Sequence, residues 1–510
     1  MPTLDLYRYA MREPSIDIGM QTMRGNRLLR PTPPIEVGHE RQLLMDRQVV
    51  DDLVGCVRQV RQPVKRAEGP VLLAEHDYED TGPASFGTVL RDPQTGQYRM
   101  WASISDTQVI KEKGKGAPDA KRGHYYESDD GLTWRRPQLG LFECCGNTAN
   151  NVFLQGGIDN LFVLALPPRL RDRGRWALIH SDPFTEPPDP GPHTAKHTLA
   201  FSEDGIHWTR APENPVFYGR SDTNNCVVYN PERDVFMWYR RATVNAGEVR
   251  RIAYSESEDL IAWTQPINLF GHDELDPTFL YGMPVSRYKG MYLGYLFCLH
   301  QHPRFEQGQM LADGRDAKMD TELAWSRDGV HWERHPLRPT FIPNSPPGPD
   351  AIDWGHAQGM ANVIEDGDEV RIYYGGRAWL HNPGRAFSDP KRRGICLATL
   401  RRDRFVALHA GDDGGFMLTK PLSCPGGKLH INGKTRNGGF IRVAVREADG
   451  ERDGEWPSGW RFDDSNPFTG DSLDHVMAWQ CGDTLDAFPS RTLRLHFWLE
   501  NADLFAFRFD

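Results

Sequence analysis

The residues best suited to proton transfer are carboxylates placed just ahead of short apolar strands: Glu79 and Asp80, Asp222, the trio Asp273, Glu274 and Asp276, and the pair Asp350 and Asp353. Carboxylates so placed can work in pairs, one donating a proton to a leaving oxygen while another acts as base or nucleophile. Amides, rings and cations accompany them. Asn150 and Asn151, Asn224 and Asn225, Tyr281, His356 and Gln358 occupy similar positions, and Arg240, Arg241 and Arg377 with His381 offer a seat for a carboxylate, sulfate or phosphate. Trp354, Tyr281 and Trp379 could stack on a flat ligand face. The choice for chemistry is Glu79, Asp222 and Glu274, with Asp80, Asn151, Asn225, Tyr281, Asp353, His356 and Arg377 as substrate-binding residues.

What must position them is set by a repeat. Ser128-Asp-Asp-Gly-Leu-Thr-Trp134, Ser202-Glu-Asp-Gly-Ile-His-Trp208 and Ser326-Arg-Asp-Gly-Val-His-Trp332 all read S-x-D-G-x-x-W, the Asp-box pattern, and a degenerate copy runs from Ser255 to Trp263. In each, Asp-Gly supplies a turn, the Asp carboxylate accepts backbone N–H bonds, and Trp packs between sheets, so Asp130, Asp204 and Asp328 are expected to be structural. Strand-turn-strand units follow each copy, with hairpin turns at D-P-Q-T-G, N-P-E-R-D and E-D-G-D. The pattern predicts an all-β chain: a five-bladed β-propeller over 41–411, preceded by an arm at 1–40 and followed by a β-sandwich at 412–510. In such a propeller the innermost strands face the axis, and ligands sit at one mouth of the channel.

Composition excludes several partners. The net charge of -10 leaves no excess of cations for a polyphosphate backbone, so nucleic acid is not expected. No run of about 18 apolar residues occurs. Asp5, Arg8, Arg12 and Glu13 stand where a secretion signal needs an apolar core, so a cytoplasmic protein without a membrane partner is expected. Eight cysteines, Cys144 and Cys145 adjacent, give no C-x-x-C spacing and read as free thiols. His193 and His197 lie in a Pro/Gly-rich loop rather than on a helix, so no metal site is assigned. No cofactor is required; a structural Ca²⁺ in the central channel is suggested by fold analogy alone. Oligomeric state is left open.

Arg41-Gln-Leu-Leu-Met-Asp46, Tyr78-Glu79, Ser326-Arg-Asp-Gly329 and Tyr373-Tyr-Gly-Gly376 resemble segments of the invertase-like and arabinanase-like five-bladed propeller glycosidases, and of bacterial proteins similar to the invertase N-terminal domain. The resemblance implies a glycoside hydrolase or related transglycosylase of furanosidase type, acting on a glycan or oligosaccharide through acidic residues at the mouth. It also implies the choice of Glu274 as acid. The invertase signature W-M-N-D-P-N-G is absent, Glu143-Cys144 follows the first repeat rather than an inner strand, and Arg91-Asp92-Pro93 opens a turn. Fructan specificity is therefore not carried over. Two alternatives stand beside hydrolysis: a glycoside phosphorylase with an Arg/His phosphate pocket, to which Arg377 and His381 could contribute, and a sugar-binding propeller without catalysis.

Overall fold

The computed structural model describes residues 33–510 except 84, 115–116, 118, 157, 183–195, 219–220, 222, 245–248, 272, 278, 301–303, 307–308, 312–316, 382–391 and 449–456. Strands dominate; among the described residues the α-helix is Thr107–Lys113. The chain divides into two compact units, Val60–Phe405 and the described residues up to Gln59 with Val406–Asp510.

The larger unit is built of five successive antiparallel groups. The first holds Gly87–Arg91, Tyr98–Ser105, Lys121–Ser128 and Val152–Gln155. In the second, Asp159–Ala165, Trp176–Asp182 and Lys196–Ser202 pair in order, with short strands outside. Cys226–Asn230, Val235–Val244, Val249–Ser257 and Ile267–Asn268 form the third. The fourth is centred on Met291–Leu299 and Met319–Ser326, and the fifth on His356–Gly359, Glu369–Arg377 and Arg393–Arg401. A lone parallel pair, Met319 with His356, joins the last two into one hydrogen-bonded network.

Bonds run from each group to the next. Thr88 Oγ1 accepts from Val163 N at 2.9 Å, Asn225 Nδ2 donates to Ser181 Oγ at 2.9 Å, Val285 N donates to Cys226 Sγ at 3.2 Å, and Gly359 N donates to Thr321 Oγ1 at 3.1 Å. The fifth group returns to the first through a parallel bridge from Ala361 to Thr88 and a 3.0 Å bond from Asn362 Nδ2 to Val89 O. The outer edge of the fifth group is completed by Val64–Lys65 and Leu72–Leu73, which pair with Arg393–Arg401. Chain from the N-terminal side thus finishes the last sheet and covers its edge.

The repeat makes one turn four times. Asp204 Oδ1 accepts from Ile206 N and His207 N at 2.8 Å each, and Asp130 and Asp328 bond their turns in the same way. The degenerate copy has a different register from the one expected. Ser257, not Ser255, opens it: Leu260 N donates to Ser257 Oγ at 2.9 Å, and Asp259 Oδ1 accepts from Ile261 N and Ala262 N. It therefore reads S-x-D-L-x-x-W, with Leu260 at φ 69° where the other copies have glycine.

A cross-sheet bond explains the glycine. The carbonyl of Gly131 accepts from Tyr373 Oη, that of Gly205 from Trp101 Nε1 and that of Gly329 from Tyr239 Oη, each at 2.7 Å and each from a strand of another group. A Cβ at Gly131 would meet that Tyr373 hydroxyl at 2.5 Å. Among the described residues no aromatic donor from another sheet reaches the Leu260 carbonyl, which accepts from its own Trp263 Nε1 at 3.0 Å. Each glycine copy is thus a staple between sheets.

Burial works to raise the Asp204 carboxyl, but the bonds from His207, Ile206 and Ser202 outweigh it and hold the group at about 2. Its folded value lies below its unfolded one, so this stabilisation is full above the ordinary aspartate range near pH 4 and is lost as pH falls toward 2. Asp204→Ala should lower unfolding stability by about 1–2 kcal/mol, the scale of a lost side-chain cap, measured by urea denaturation at neutral pH. Unchanged stability would show that the turn stands without its carboxylate.

The smaller unit is organised by two long strands, Leu429–Glu447 and Thr492–Phe509, paired along most of their length. Ile441, Val443 and Val445 alternate inward with Leu493, Leu495, Phe497 and Leu499 onto one apolar core. Gln42–Leu43 and Val50–Val54 join it, pairing with Thr492–Phe509 and Gly415–Thr419. Residues 41–59 therefore group with the C-terminal strands rather than with the segment 41–411, because their apolar faces, Leu44 and Val50 among them, belong to that core.

Candidate active site

The second group opens on Asp159–Ala165, whereas Asn151 stands just ahead of Val152–Gln155, the edge strand at the far side of the first group from Gly87–Arg91. Asn151 Oδ1 accepts from His124 Nδ1 at 3.1 Å and Nδ2 donates to Tyr125 O at 2.7 Å, so its side chain is spent on bonds within the first group. Asn160 lies near the start of Asp159–Ala165. Asp159-Asn160 ahead of Leu161-Phe-Val-Leu was the readable signal, the same polar-then-apolar step seen before the other inner strands.

On the side of the second and third groups the lining is amide and hydroxyl. Asn225 donates to Ser181 Oγ at 2.9 Å and accepts from Ser221 Oγ at 2.8 Å. Asn160, 1% exposed and at φ 51°, has no hydrogen-bond partner at either side-chain polar atom among the described residues, and Thr223 Oγ1 and Asn224 Oδ1 are buried and unbonded among them as well. Left dry, each such group costs about 1–3 kcal/mol, so the cluster is shaped for polar atoms from elsewhere.

A cavity open to solvent is lined by Ser85 and Phe86, by Tyr281 and Met319, and by His356, Gln358, Arg377, His381 and Arg393. Residues of the first, fourth and fifth groups meet here. Ser85 Oγ donates to Gln358 Oε1 at 3.1 Å, the ring of His381 stands edge-on to Tyr281 at 4.9 Å, and His356 stacks on His381 at 5.6 Å. Arg377 Nη2 donates a hydrogen bond to His356 Nε2 at 2.5 Å. The Arg250 guanidinium lies over Tyr281, 4.3 Å from the ring centre.

Cations crowd this cavity and depress one another. Burial and then Arg393 pull Arg377 down to about 9. Burial, followed by Arg377, Arg250 and Arg241, holds His381 at about 3, and burial with Arg377 keeps His356 well below the ordinary imidazole range. Both rings are neutral at pH 7 and act as hydrogen-bonding surfaces.

The expected carboxylates have separate places. Glu79 is fully buried: Oε1 accepts from Tyr126 Oη at 2.7 Å and Arg136 Nε at 2.9 Å, and Oε2 accepts from Glu75 N at 2.8 Å and His76 N at 3.2 Å. Burial acts to raise its pKa, and the Glu75 amide and Arg136 more than offset this and lower it. Asp80 accepts from the amide and hydroxyl of Thr107 and ties down the helix start. Asp353 pairs with Lys65 Nζ at 2.5 Å and accepts from Tyr374 Oη at 3.1 Å. Asp273 and Asp276 pair with Arg338 and Arg334, leaving Glu274 exposed on the same turn. Asp222 lies outside the described residues, as does His193.

Of the residues expected to bind substrate, the structure therefore brings Tyr281, His356 and Arg377 to one cavity, with Asn225 in the amide cluster. Arg240 is elsewhere, buried over the Phe217 ring at 3.8 Å. Arg250 and Arg393 were missed, because a lone arginine on a strand carries no positional signal. Among the described residues no group of three or more His, Cys, Asp or Glu side chains could hold a metal ion.

No family description matches the chain, and no curated protein matches it in sequence. Among solved structures it is similar to one titled glycoside hydrolase (16% identity, 67% of this chain and 92% of that one, TM-score 0.43). It is also similar to a β-1,2-mannobiose phosphorylase from Listeria innocua (10% identity, 67% and 97%, TM-score 0.45). A fructofuranosidase from Schwanniomyces occidentalis covers more of the chain (10% identity, 88% and 98%, TM-score 0.39). Likenesses of this size assign no activity, and the chain's own residues must carry any functional reading.

Proposed function

We propose that the five groups are the blades of a five-bladed propeller and that the chain is a glycan-cleaving enzyme, a glycoside hydrolase or related transglycosylase, acting where the inner strands begin. The observation that carries this reading is the buried, unbonded polar lining of Asn160, Thr223 and Asn224, which faces no apolar ligand without cost. A polyhydroxyl ligand supplies donors and acceptors at that density, and Tyr281 offers a ring for a sugar face. Cleavage needs an acid and a base or nucleophile. Asp222, flanked by Ser221 and Thr223, and Glu274, which forms no ion pair among the described residues whereas Asp273 and Asp276 do, take these roles in the proposal. Glu79 and Asp353 are bound to neighbouring cations, which favours a supporting role for both.

The test is incubation of the full chain with a broad panel of oligosaccharides, with and without inorganic phosphate, and analysis of the released sugars. New reducing ends without phosphate support hydrolysis, and sugar phosphates support phosphorolysis. Binding of a panel glycan with no cleavage under either condition would make the chain a sugar-binding propeller and end the enzymatic reading.

A further inference from the structure

Cys144 and Cys145 are neighbours in the chain, and their Sγ atoms lie 3.9 Å apart, within reach of a thiol hydrogen bond. The turn that carries them sets this spacing. Cys144 and Asn147 bond each other in both directions, N to O at 2.9 and 3.3 Å, and close a two-residue hairpin turn over Cys145 and Gly146. Both central residues have positive φ, 54° and 81°, a conformation that such turns usually fill with Gly, Asn or Asp. The two thiols differ in their surroundings. Cys144 is 3% exposed, and burial pushes its thiol up to about 11, so it stays protonated, whereas Cys145 is exposed. Among the described residues no third His, Cys, Asp or Glu joins them to make a metal site. Cys481, also exposed, donates its thiol hydrogen to the Gly459 carbonyl at 3.1 Å.

We propose that Cys144 and Cys145 form a reversible two-thiol redox site, which a peroxide closes to a disulfide in the turn that leads into Val152–Gln155. The exposed Cys145 sulfur attacks one peroxide oxygen, the O–O bond breaks, and a sulfenic acid and one water result. The Cys144 thiol then displaces the hydroxyl from the Cys145 sulfur; its proton leaves with that hydroxyl as a second water, and the S–S bond forms. Each sulfur gives up one electron, and the peroxide is reduced to two waters. The bond is weak for a geometric reason. Adjacent Cα atoms stand about 3.8 Å apart across a trans peptide, whereas disulfides ordinarily span roughly 4.4–6.8 Å. A bond so strained is readily reduced, which suits a reversible site rather than a structural cross-link. The proposal does not depend on the glycan reading.

Treatment of the full chain with hydrogen peroxide, then denaturation in iodoacetamide, digestion and mass spectrometry, tests it. The peptide holding Cys144 and Cys145 should lose both alkylation sites together, weigh two hydrogens less than its reduced form, and regain both sites after incubation with reduced glutathione. In Cys145→Ser, which alters an exposed side chain, oxidation of Cys144 should slow about ten-fold or more, because a buried thiol is inert without its exposed partner. The proposal is overturned if both thiols still alkylate fully after peroxide, or if Cys145 advances to sulfinic acid while Cys144 still alkylates. It is equally overturned if Cys145 is found joined to Cys481 of another copy, or if Cys144 oxidises at the wild-type rate in Cys145→Ser.

Discussion

Glu79→Ala is expected to cost about 3–5 kcal/mol of unfolding stability, the largest effect of any single substitution considered for this chain, because it strands a buried arginine. The Arg136 side chain is 7% exposed and bonds Glu79 at 2.9 Å, Glu75 at 2.9 Å and Leu73 O at 2.6 Å. Removing Glu79 leaves that cation with an exposed carboxylate and a carbonyl, and frees the Tyr126 hydroxyl and two backbone amides inside the protein. Glu79→Gln keeps the shape but not the charge, and should cost less. The sign with pH follows from the direction of the shift: the folded carboxyl titrates below its unfolded range, so its contribution is full above that range and is lost as pH falls through the depressed folded value. Variants at Glu79 should therefore show a shallower acid unfolding limb than the wild type. Urea denaturation at neutral and acid pH checks both statements. If Glu79→Gln instead abolished turnover at unchanged stability, the carboxylate would belong to the chemistry.

That residue also marks the boundary of what sequence could tell. A carboxylate ahead of an apolar strand looks the same whether it serves a substrate or a buried arginine, and Arg136 is 57 positions away. The repeat was legible because its four parts lie within seven residues and close their bonds locally, as Ser202, Asp204 and His207 do. Even there, the fourth copy opens two residues later than the pattern predicts, because the glycine of the pattern answers to Tyr373, Trp101 and Tyr239 on other sheets and the fourth copy has Leu260 in its place. Completion of the fifth group by Val64–Lys65 and Leu72–Leu73 had no signal, since two-residue strands carry no periodicity. The same holds for the assignment of 42–54 to the C-terminal unit, which depends on pairing partners hundreds of residues away. Asn151 was misplaced because an edge strand and an inner strand begin alike. Tyr281 follows the short strand Phe279–Leu280, His356 opens His356–Gly359 and Arg377 closes Glu369–Arg377, and the three side chains line one cavity.

Asp222→Asn and Glu274→Gln are expected to lower kcat by about 10³-fold or more each while leaving the melting temperature within a degree or two of wild type, since both remove groups required mainly in the transition state. Glu274 is exposed on its turn, and its neighbours Asp273 and Asp276 carry the ion pairs to Arg338 and Arg334 that hold the turn in place. Its amide variant therefore disturbs no structural bond. The two roles separate by leaving group. If Glu274 is the acid, an aryl glycoside whose phenol departs without protonation should recover most of the rate lost in Glu274→Gln, while the same substrate should give no recovery in Asp222→Asn. Azide should restore turnover to Asp222→Ala and release a glycosyl azide of inverted configuration, and the wild-type product then tells the roles apart: retention of anomeric configuration makes Asp222 a nucleophile, inversion makes it a base acting on water. Wild-type kcat in either folded amide variant would remove that residue from the mechanism. The reverse pattern, with the aryl substrate rescuing Asp222→Asn and not Glu274→Gln, would exchange the two assignments.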